Sequence, residues 1–332
     1  MKKYNIAIIG LGVGERVLAY LIKNSKVKNI KIFDFHKQKL KKISKKYNIK
    51  YYHEEDEIYK DKDIDIIYIA SFDNYHFDQC KKALLADKHI FVEKPAFIYE
   101  KEAIKFEKLI SKKPNIAFMS NLILRKSERF NFLKKKINKN FLGKVYYVEG
   151  DYNYGRLNKL TNGWRGKIPF YSVTLGGGLH LLDLITWLLY IKIDEVTSFA
   201  NKISTKNTKF NYPDLVTTIF KTKNKIVGKI TSNFGCVYPH FHKLVVYGTK
   251  KTFENCIDRG NFYAIRDSKV KTDITLPDKV YNKSKLFEDF FKCIENKIIR
   301  KITKDQMFSC LKVCFAIEKS IKSNKKIKVK YK

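Results

Sequence analysis

The chain is short of arginine, acid, proline and long apolar runs, and most of these shortages close off a class of function. Only 8 of its 332 residues are arginine, against 60 lysines. Proteins that read bases lean on the bidentate guanidinium, so specific nucleic-acid binding is not expected, although 68 basic residues face 33 acidic ones and leave a formal net charge of +35. The lysine is spread along the entire chain as a solvated surface, and its diffuse positive field steers anions. No apolar stretch approaches the twenty residues of a membrane-spanning helix, so no membrane association is expected. A strand-like run starts directly after Met1, Lys2 and Lys3, without a secretory leader, and a cytoplasmic protein is expected. Cys80, Cys236, Cys256, Cys293, Cys310 and Cys314 have no C-x-x-C spacing. Cys310 and Cys314 lie a helical turn apart without further ligands, so buried free thiols are expected. His240 and His242 share a strand face but have no patterned acid or cysteine partner, and no metal site is expected. The sequence also lacks H-E-x-x-H, G-K-[ST] and G-x-S-x-G.

What is present begins at residue 4. YNIAIIG runs into GLGVGE, then into about fifteen helix-compatible residues, then into IKIFDF. The continuous apolar run Ile6–Ile9 is the pattern of a strand covered on both faces of a parallel sheet. Gly10 and Gly12 allow a tight turn that brings backbone N–H groups, including that of Val13, near a phosphate at a helix start. Asp34 closes the second strand, 22 residues beyond Gly12, where a carboxylate accepts adenine-ribose hydroxyls. The third glycine falls at Gly14, with Glu15 where G-x-G-x-x-G places a small residue. Strand, glycines, helix, strand and acid in this order predict a dinucleotide site. Asp34 stands where a 2′-phosphate would sit, which favours NAD(H) over NADP(H), with Lys37 and Lys39 softening the repulsion.

Further βα units follow. Helices are predicted from Lys37 and over 74–88 and 100–113, and strands near 50–52 and over 65–71, 89–93 and 115–121. A doubly wound Rossmann domain is therefore expected over 1–120. After it the pattern changes to a strand from Val145, a strongly apolar helix over 179–190, and four strand-like runs in series. This predicts an α+β domain over 121–332 with an open, mostly antiparallel mixed sheet. One face is covered by the 179–190 helix and the other is left apolar for a second copy, as in a homodimer or homotetramer. Two amphipathic helices from Lys285 pack on one domain or back on the first.

Lys94, at the end of the strand HIFV, is placed to exchange a proton near a nicotinamide, with Glu93 to orient it and Pro95, through a cis bond, to fix the backbone. His180 and Asp183 are spaced to face one side of a helix start and hydrogen-bond, and the glycine run before them exposes His180. Among the scarce arginines, Arg125, Arg129, Arg156 and Arg165 suit a carboxylate or phosphate on a substrate. Tyr152 and Tyr154 share a strand face that could line a sugar site or simply cover the sheet.

These pieces resemble the glucose-fructose oxidoreductase / inositol dehydrogenase / MocA (Gfo/Idh/MocA) family over nearly the entire length. They are GLGVGE at 10–15, ASFDNYH at 70–76, ALLADKHIFVEKP at 83–95, LGKV at 142–145, WRG at 164–166, GGGLHLLDLITWL at 176–188 and VVYGTK at 245–250. The resemblance implies a Rossmann domain, a second domain whose open sheet often forms subunit interfaces, and NAD or NADP redox chemistry on sugars, inositols or nucleotide-linked sugars. It implies that Lys94 lies between nicotinamide and substrate and that His180 contacts the reacting hydroxyl. Ser71, Asp73 and His76 would lie in its cofactor loop. There the family commonly has T-P-N and this chain has Ser71-Phe72-Asp73. Many members carry Asp or Asn four residues before the histidine, and this chain has Gly176. A carbohydrate oxidoreductase with an anionic or polyhydroxylated substrate is the leading expectation. A redox-neutral enzyme with tightly held NAD and a non-catalytic dinucleotide-binding sensor or scaffold stay open beside it.

Overall fold

The structure is a computed structural model and describes residues 2–266, the backbone of 272–274, and residues 285–331. It divides into two compact units, Met1–Asn121 with Asn282–Phe308, and Leu122–Tyr281 with Ser309–Lys332.

The first unit starts with β1 (Tyr4–Ile9), in which Ile6, Ala7, Ile8 and Ile9 have no exposed surface. Fully burying each isoleucine contributes roughly 2 kcal/mol. There follow α1 (Gly14–Leu21), β2 (Val27–Phe33), α2 (Lys37–Tyr47), α3 (Glu55–Lys60), β3 (Ile66–Ile69), α4 (His76–Leu85), β4 (His89–Val92), α5 (Glu100–Ser111) and β5 (Phe118–Ser120). The five strands make one parallel sheet in the order β2-β1-β3-β4-β5. The strand expected near 50–52 is a single parallel bridge, Ile32 to Tyr51. Beyond Tyr52 the chain turns away, and the His53 N–H donates to Glu57 of α3. Sequence reasoning left α3 out, although Glu55, Asp56 and Glu57 in its first turn complement the positive helix start.

The second unit carries α6 (Glu128–Asn138), β6 (Val145–Asn153), α7 (Asn158–Thr161), α8 (Leu179–Leu189), β7 (Ile193–Asn201), β8 (Leu215–Thr222), β9 (Val227–Asn233), β10 (Phe241–Gly248), β11 (Thr252–Asn255), β12 (Gly260–Tyr263) and β13 (Thr272–Ile274). The tail follows as α9 (Leu286–Glu295), α10 (Lys297–Ser323) and β14 (Ile327–Lys328). Nine strands form a mixed sheet in the order β13-β12-β11-β10-β6-β9-β8-β7-β14. β6 and β9 are parallel and the other neighbours antiparallel. On β6 the side facing α8 carries Val148, Gly150 and Tyr152, all buried. A Cβ on Gly150 would lie 3.2 Å from Leu181.

The opposite face mixes apolar and polar side chains, with Phe199, Ile219 and Val227 exposed on it. Alternation on β6 places Tyr147, Glu149 and Asp151 there, and Lys229 of β9 reaches Glu149 at 3.6 Å and Asp151 at 3.1 Å. The Tyr147 ring is tilted against that of Tyr247 on β10, centroids 5.3 Å apart.

The sequence leaves the host of the tail helices open, and aromatic packing decides it. In the first unit Phe287 of α9 lies 4.4 Å from Phe91 and 5.3 Å from Tyr68, and Phe291 lies 5.5 Å from Tyr4. α10 contributes Phe308 to the same unit, near Phe118 at 5.9 Å. From Ser309 onward it belongs to the second unit, where Ser320 Oγ accepts the Ser198 N–H at 2.9 Å. All six cysteines are free, with Cys236 and Cys256 half-buried and the rest buried. Among the described residues no helix is long and apolar enough to cross a membrane.

Candidate functional site

In the first unit the turn after β1 is shaped by what glycine lacks. Gly10 has φ +89°, and a Cβ there would lie 2.6 Å from the backbone of Ala70 and Ser71 at the end of β3. Over Gly12 a Cβ would meet nothing within 4 Å. Val13, half-buried, caps α1, and Gly14 opens it where a Cβ would lie 3.0 Å from Ile8. The open space above a bare glycine, at the positive end of a helix, fits a phosphate group.

Asp34 follows β2. Its Oδ2 accepts the Leu11 N–H at 2.7 Å and its Oδ1 accepts the His36 N–H at 2.8 Å. A carboxylate has about four acceptor positions, so Asp34 holds the glycine turn and retains capacity for ribose hydroxyls. Lys39 Nζ stands 3.9 Å from Oδ2, while Lys37 turns to Glu54 at 3.2 Å.

The loop after β3 is braced from below. Ser71 Oγ donates to Gln79 at 2.6 Å, and Gln79 donates to Glu55 at 2.9 Å. Asp73 is buried at the start of a 3-10 turn. His76 has no exposed surface. Its Nδ1 lies 2.8 Å from the Pro95 carbonyl and its Nε2 3.3 Å from the Ser71 carbonyl. The expected cofactor contact of His76 is thus corrected to a strut between two loops, because both ring nitrogens face protein carbonyls.

Glu93 and Lys94 follow β4, and the Lys94–Pro95 peptide is cis. Lys94 is half-buried. Glu93 is buried, and its Oε1 accepts from the Tyr68 hydroxyl at 2.8 Å and the Asn121 amide at 2.7 Å. Burial and the Glu93 charge push the Tyr68 phenol well above its ordinary range. Glu93 therefore braces the ends of β3, β4 and β5 against one another. Sequence reasoning missed Tyr68 and Asn121, whose apolar strand context gives no sign of the partnership.

In the second unit a buried five-residue π-helical turn, Thr174–Gly178, runs into α8. Such turns carry an extra residue and often mark functional sites. The glycines are required by close approach. A Cβ on Gly177 would lie 2.4 Å from the Tyr152 ring, and one on Gly178 2.2 Å from Ser232 Oγ. The run was expected to expose His180, but His180 is buried, 7% exposed, because these glycines draw the helix start onto the sheet.

Around His180 stand rings from β6 and the start of β10. The His180 ring lies 6.1 Å from Tyr152 and 5.9 Å from His242. His240 Nε2 is 3.2 Å from the Tyr152 hydroxyl. Burial, then neighbouring His240, lowers the His242 pKa to about 3. Among the described residues no group of three or more His, Cys, Asp or Glu side chains is arranged to hold a metal ion. Tyr154 stacks 5.9 Å from Tyr152, with Arg156 5.6 Å and Arg165 6.0 Å from its ring.

Asp183 does not orient His180. Arg125 Nε donates to Asp183 Oδ2 at 2.8 Å and its terminal nitrogen to Oδ1 at 2.5 Å, a bidentate pair that engages both oxygens of a 1% exposed carboxylate. This corrects the expected Asp183–His180 bond and turns Arg125 from substrate toward Asp183. Arg129, 1% exposed, is likewise structural and donates to Asn255 and to the carbonyls of Cys256 and Asp258.

The first unit is a Rossmann-like α/β domain and the second an α+β domain built on an open mixed sheet. Residues 4–121 match the oxidoreductase family with an NAD-binding Rossmann fold, and residues 130–254 match the GFO/IDH/MocA C-terminal domain. The chain belongs to the Gfo/Idh/MocA family. An uncharacterized oxidoreductase of Synechocystis sp. is 22% identical over 191 residues, 55% of this chain, and the chain spans half of that relative's length, 50%. The myo-inositol 2-dehydrogenase of Thermotoga maritima is 21% identical over 300 residues, 86% of this chain and 82% of its own. A solved oxidoreductase of Desulfitobacterium hafniense, provisionally assigned as NADPH-dependent, superposes with a TM-score of 0.86 over 99% of this chain and 98% of its own, at 19% identity. That likeness is one of fold alone.

Proposed function

We propose that the protein is an NAD-dependent oxidoreductase that moves a hydride between nicotinamide and a secondary hydroxyl or keto carbon of a sugar, sugar acid, inositol or nucleotide sugar. The observation that carries this reading is the pairing of open space over Gly12 with Asp34, whose carboxylate buttresses the same turn. Family membership and the Thermotoga relative, named for an inositol, support the polyol class.

The glycine turn and the start of α1 would hold the pyrophosphate, and Asp34 the adenine ribose. The nicotinamide, when bound, supplies the carbon that takes or gives hydride. The roles of Lys94 and His180 follow the family resemblance. His180 receives the proton of the reacting hydroxyl, and Lys94 shares or relays it. Asp34 opposes a 2′-phosphate while Lys39 tempers it, so NAD(H) binds more tightly than NADP(H). Titration with both cofactors checks this, and equal affinity contradicts it. The working form is a homodimer or homotetramer.

Stopped-flow hydride transfer on folded, cofactor-saturated variants tests the chemistry. Lys94→Ala should lower kcat by roughly 10² or more with cofactor affinity within a few-fold, and His180→Ala by roughly 10 to 10². Free NADH should accumulate in proportion to turnover, which a redox-neutral enzyme with held NAD does not do. A parent that binds NAD but reduces it with no polyol leaves the sensor reading standing instead.

A further inference from the structure

Arginine is scarce in this chain, and Arg125, Arg129 and Arg300 are committed to a carboxylate, a side-chain amide and main-chain carbonyls of the protein itself. Arg156 is exposed, and among the described residues no acidic side chain forms an ion pair with it. Its guanidinium lies 5.6 Å from the centre of the Tyr154 ring, and that of Arg165 lies 6.0 Å from the same ring. A surface that already carries 60 lysines has no need of arginine for solvation. What arginine adds is a planar fork that stacks on a ring and meets an oxyanion with two N–H groups at once.

Two features tie Arg156 to the candidate site. Tyr154 stacks on Tyr152, centroids 5.9 Å apart, and Tyr152 lies 6.1 Å from the His180 ring, so a wall of rings runs from His180 to the guanidinium. Burial raises the Tyr152 phenol above its ordinary range, and the positive charges of Arg165 and Arg156 pull against it, so the field of both reaches the ring beside His180. The backbone fixes this placement. β6 ends at Asn153, and Gly155 adopts φ +56° where a Cβ would lie 1.8 Å from the Tyr238 carbonyl oxygen. Only glycine fits that turn, which ends the strand alternation directly before Arg156.

Resting on the polyol oxidoreductase reading, we propose that Arg156 is a substrate-binding residue that selects substrates carrying an oxyanion, with Arg165 adding positive field beside it. The oxyanion is the carboxylate of a sugar acid or the phosphate of a nucleotide sugar, and the sugar extends along Tyr154 and Tyr152 toward His180. An exposed fork engages such a group without first breaking an ion pair within the protein. Neutral polyols gain nothing from it, so the site discriminates by charge.

The test is steady-state kinetics with NAD on glucuronate, UDP-glucose, glucose and myo-inositol, with melting temperature and NAD affinity measured for every variant. The parent should turn over glucuronate or UDP-glucose with a kcat/KM roughly tenfold or more above that for glucose. Arg156→Ala should raise KM for the preferred anion roughly tenfold or more, with the neutral substrates and NAD affinity within about twofold and the melting temperature unchanged. Arg156→Lys, which keeps the charge and loses the fork, should fall between. A preference for glucuronate assigns a carboxylate, and one for UDP-glucose a phosphate. An active parent that favours the neutral substrates overturns this inference alone, as does an Arg156→Ala variant that equals the parent on the anions or loses all four substrates equally. A parent with no turnover on any of the four overturns it together with the polyol reading.

Discussion

Asp183 and Arg125 show how a single side chain can be misread from spacing. On α8 the carboxylate lies three residues from His180, yet a guanidinium 58 residues earlier in the chain takes both its oxygens. Replacing Arg125 with Leu should therefore cost about 3 kcal/mol by leaving a buried charge without its partner, while Arg125→Leu with Asp183→Leu should recover most of it. Denaturant unfolding of the three variants decides between this and a weak surface pair, for which the single change would be near neutral. Two histidines make a second prediction. His242 is lowered to about 3 by burial and by His240, and His89 to about 4 by burial and the charges of Arg300 and Lys2. In the unfolded chain both titrate near 6.5, so below that pH the unfolded state binds protons that the native state refuses. Their contribution to stability is full above pH 6.5 and is lost as pH falls toward 4 and then 3. The melting temperature should drop through that window, and His242→Gln should flatten the drop. An equally steep profile in the variant would refute it.

The π-helical turn and α8 carry the second domain's candidate chemistry as one element. Its glycines read, in sequence, as a means of exposing His180. In the structure they are the reason the helix start sits on β6 and β9. Gly177→Ala would place a methyl 2.4 Å from the Tyr152 ring, and a buried ring packed among Phe234, Tyr154 and three histidines has little room to move. The expected cost is about 1 to 3 kcal/mol, with lost turnover because the same turn aims His180. Chemical denaturation and kinetics on the one variant check both, and a neutral Gly177→Ala would mean the turn is slack. At the same scale the βα rhythm of the first domain was legible element by element, since its strands are continuous apolar runs that sheet burial demands. The run read as a strand near 50–52 pairs through one bridge only, because the chain turns toward α3 directly after Tyr52.

For the whole molecule, the sheet face turned away from α8 carries Phe199, Ile219 and Val227 beside Tyr147, Tyr247, Glu149, Asp151 and Lys229. An assembly built there would join apolar and aromatic contact with charge. Analytical ultracentrifugation at micromolar concentration should show a dimer or tetramer that weakens with salt, and Lys229→Glu, facing two acids, should shift it toward monomer. A parent that sediments as a monomer at low salt ends the reading.

The sequence by itself determined the first domain's sheet, the glycine turn with its acid, and the change to a second, mainly antiparallel domain. These rest on contacts close in the chain or on burial periodicity, which local residue order encodes. Tertiary structure alone decided that Glu93 binds Tyr68 and Asn121, that Arg125 holds Asp183, and that Tyr171 fills the space beside Gly176. In the first two cases the partners lie 25 to 58 residues apart. In the third they are five apart, but what brings them together is a π-helical turn that no hydrophobic pattern announces. A polar side chain commits to whichever donor the packed fold carries within about 3 Å, and that distance is fixed only once both domain cores have closed.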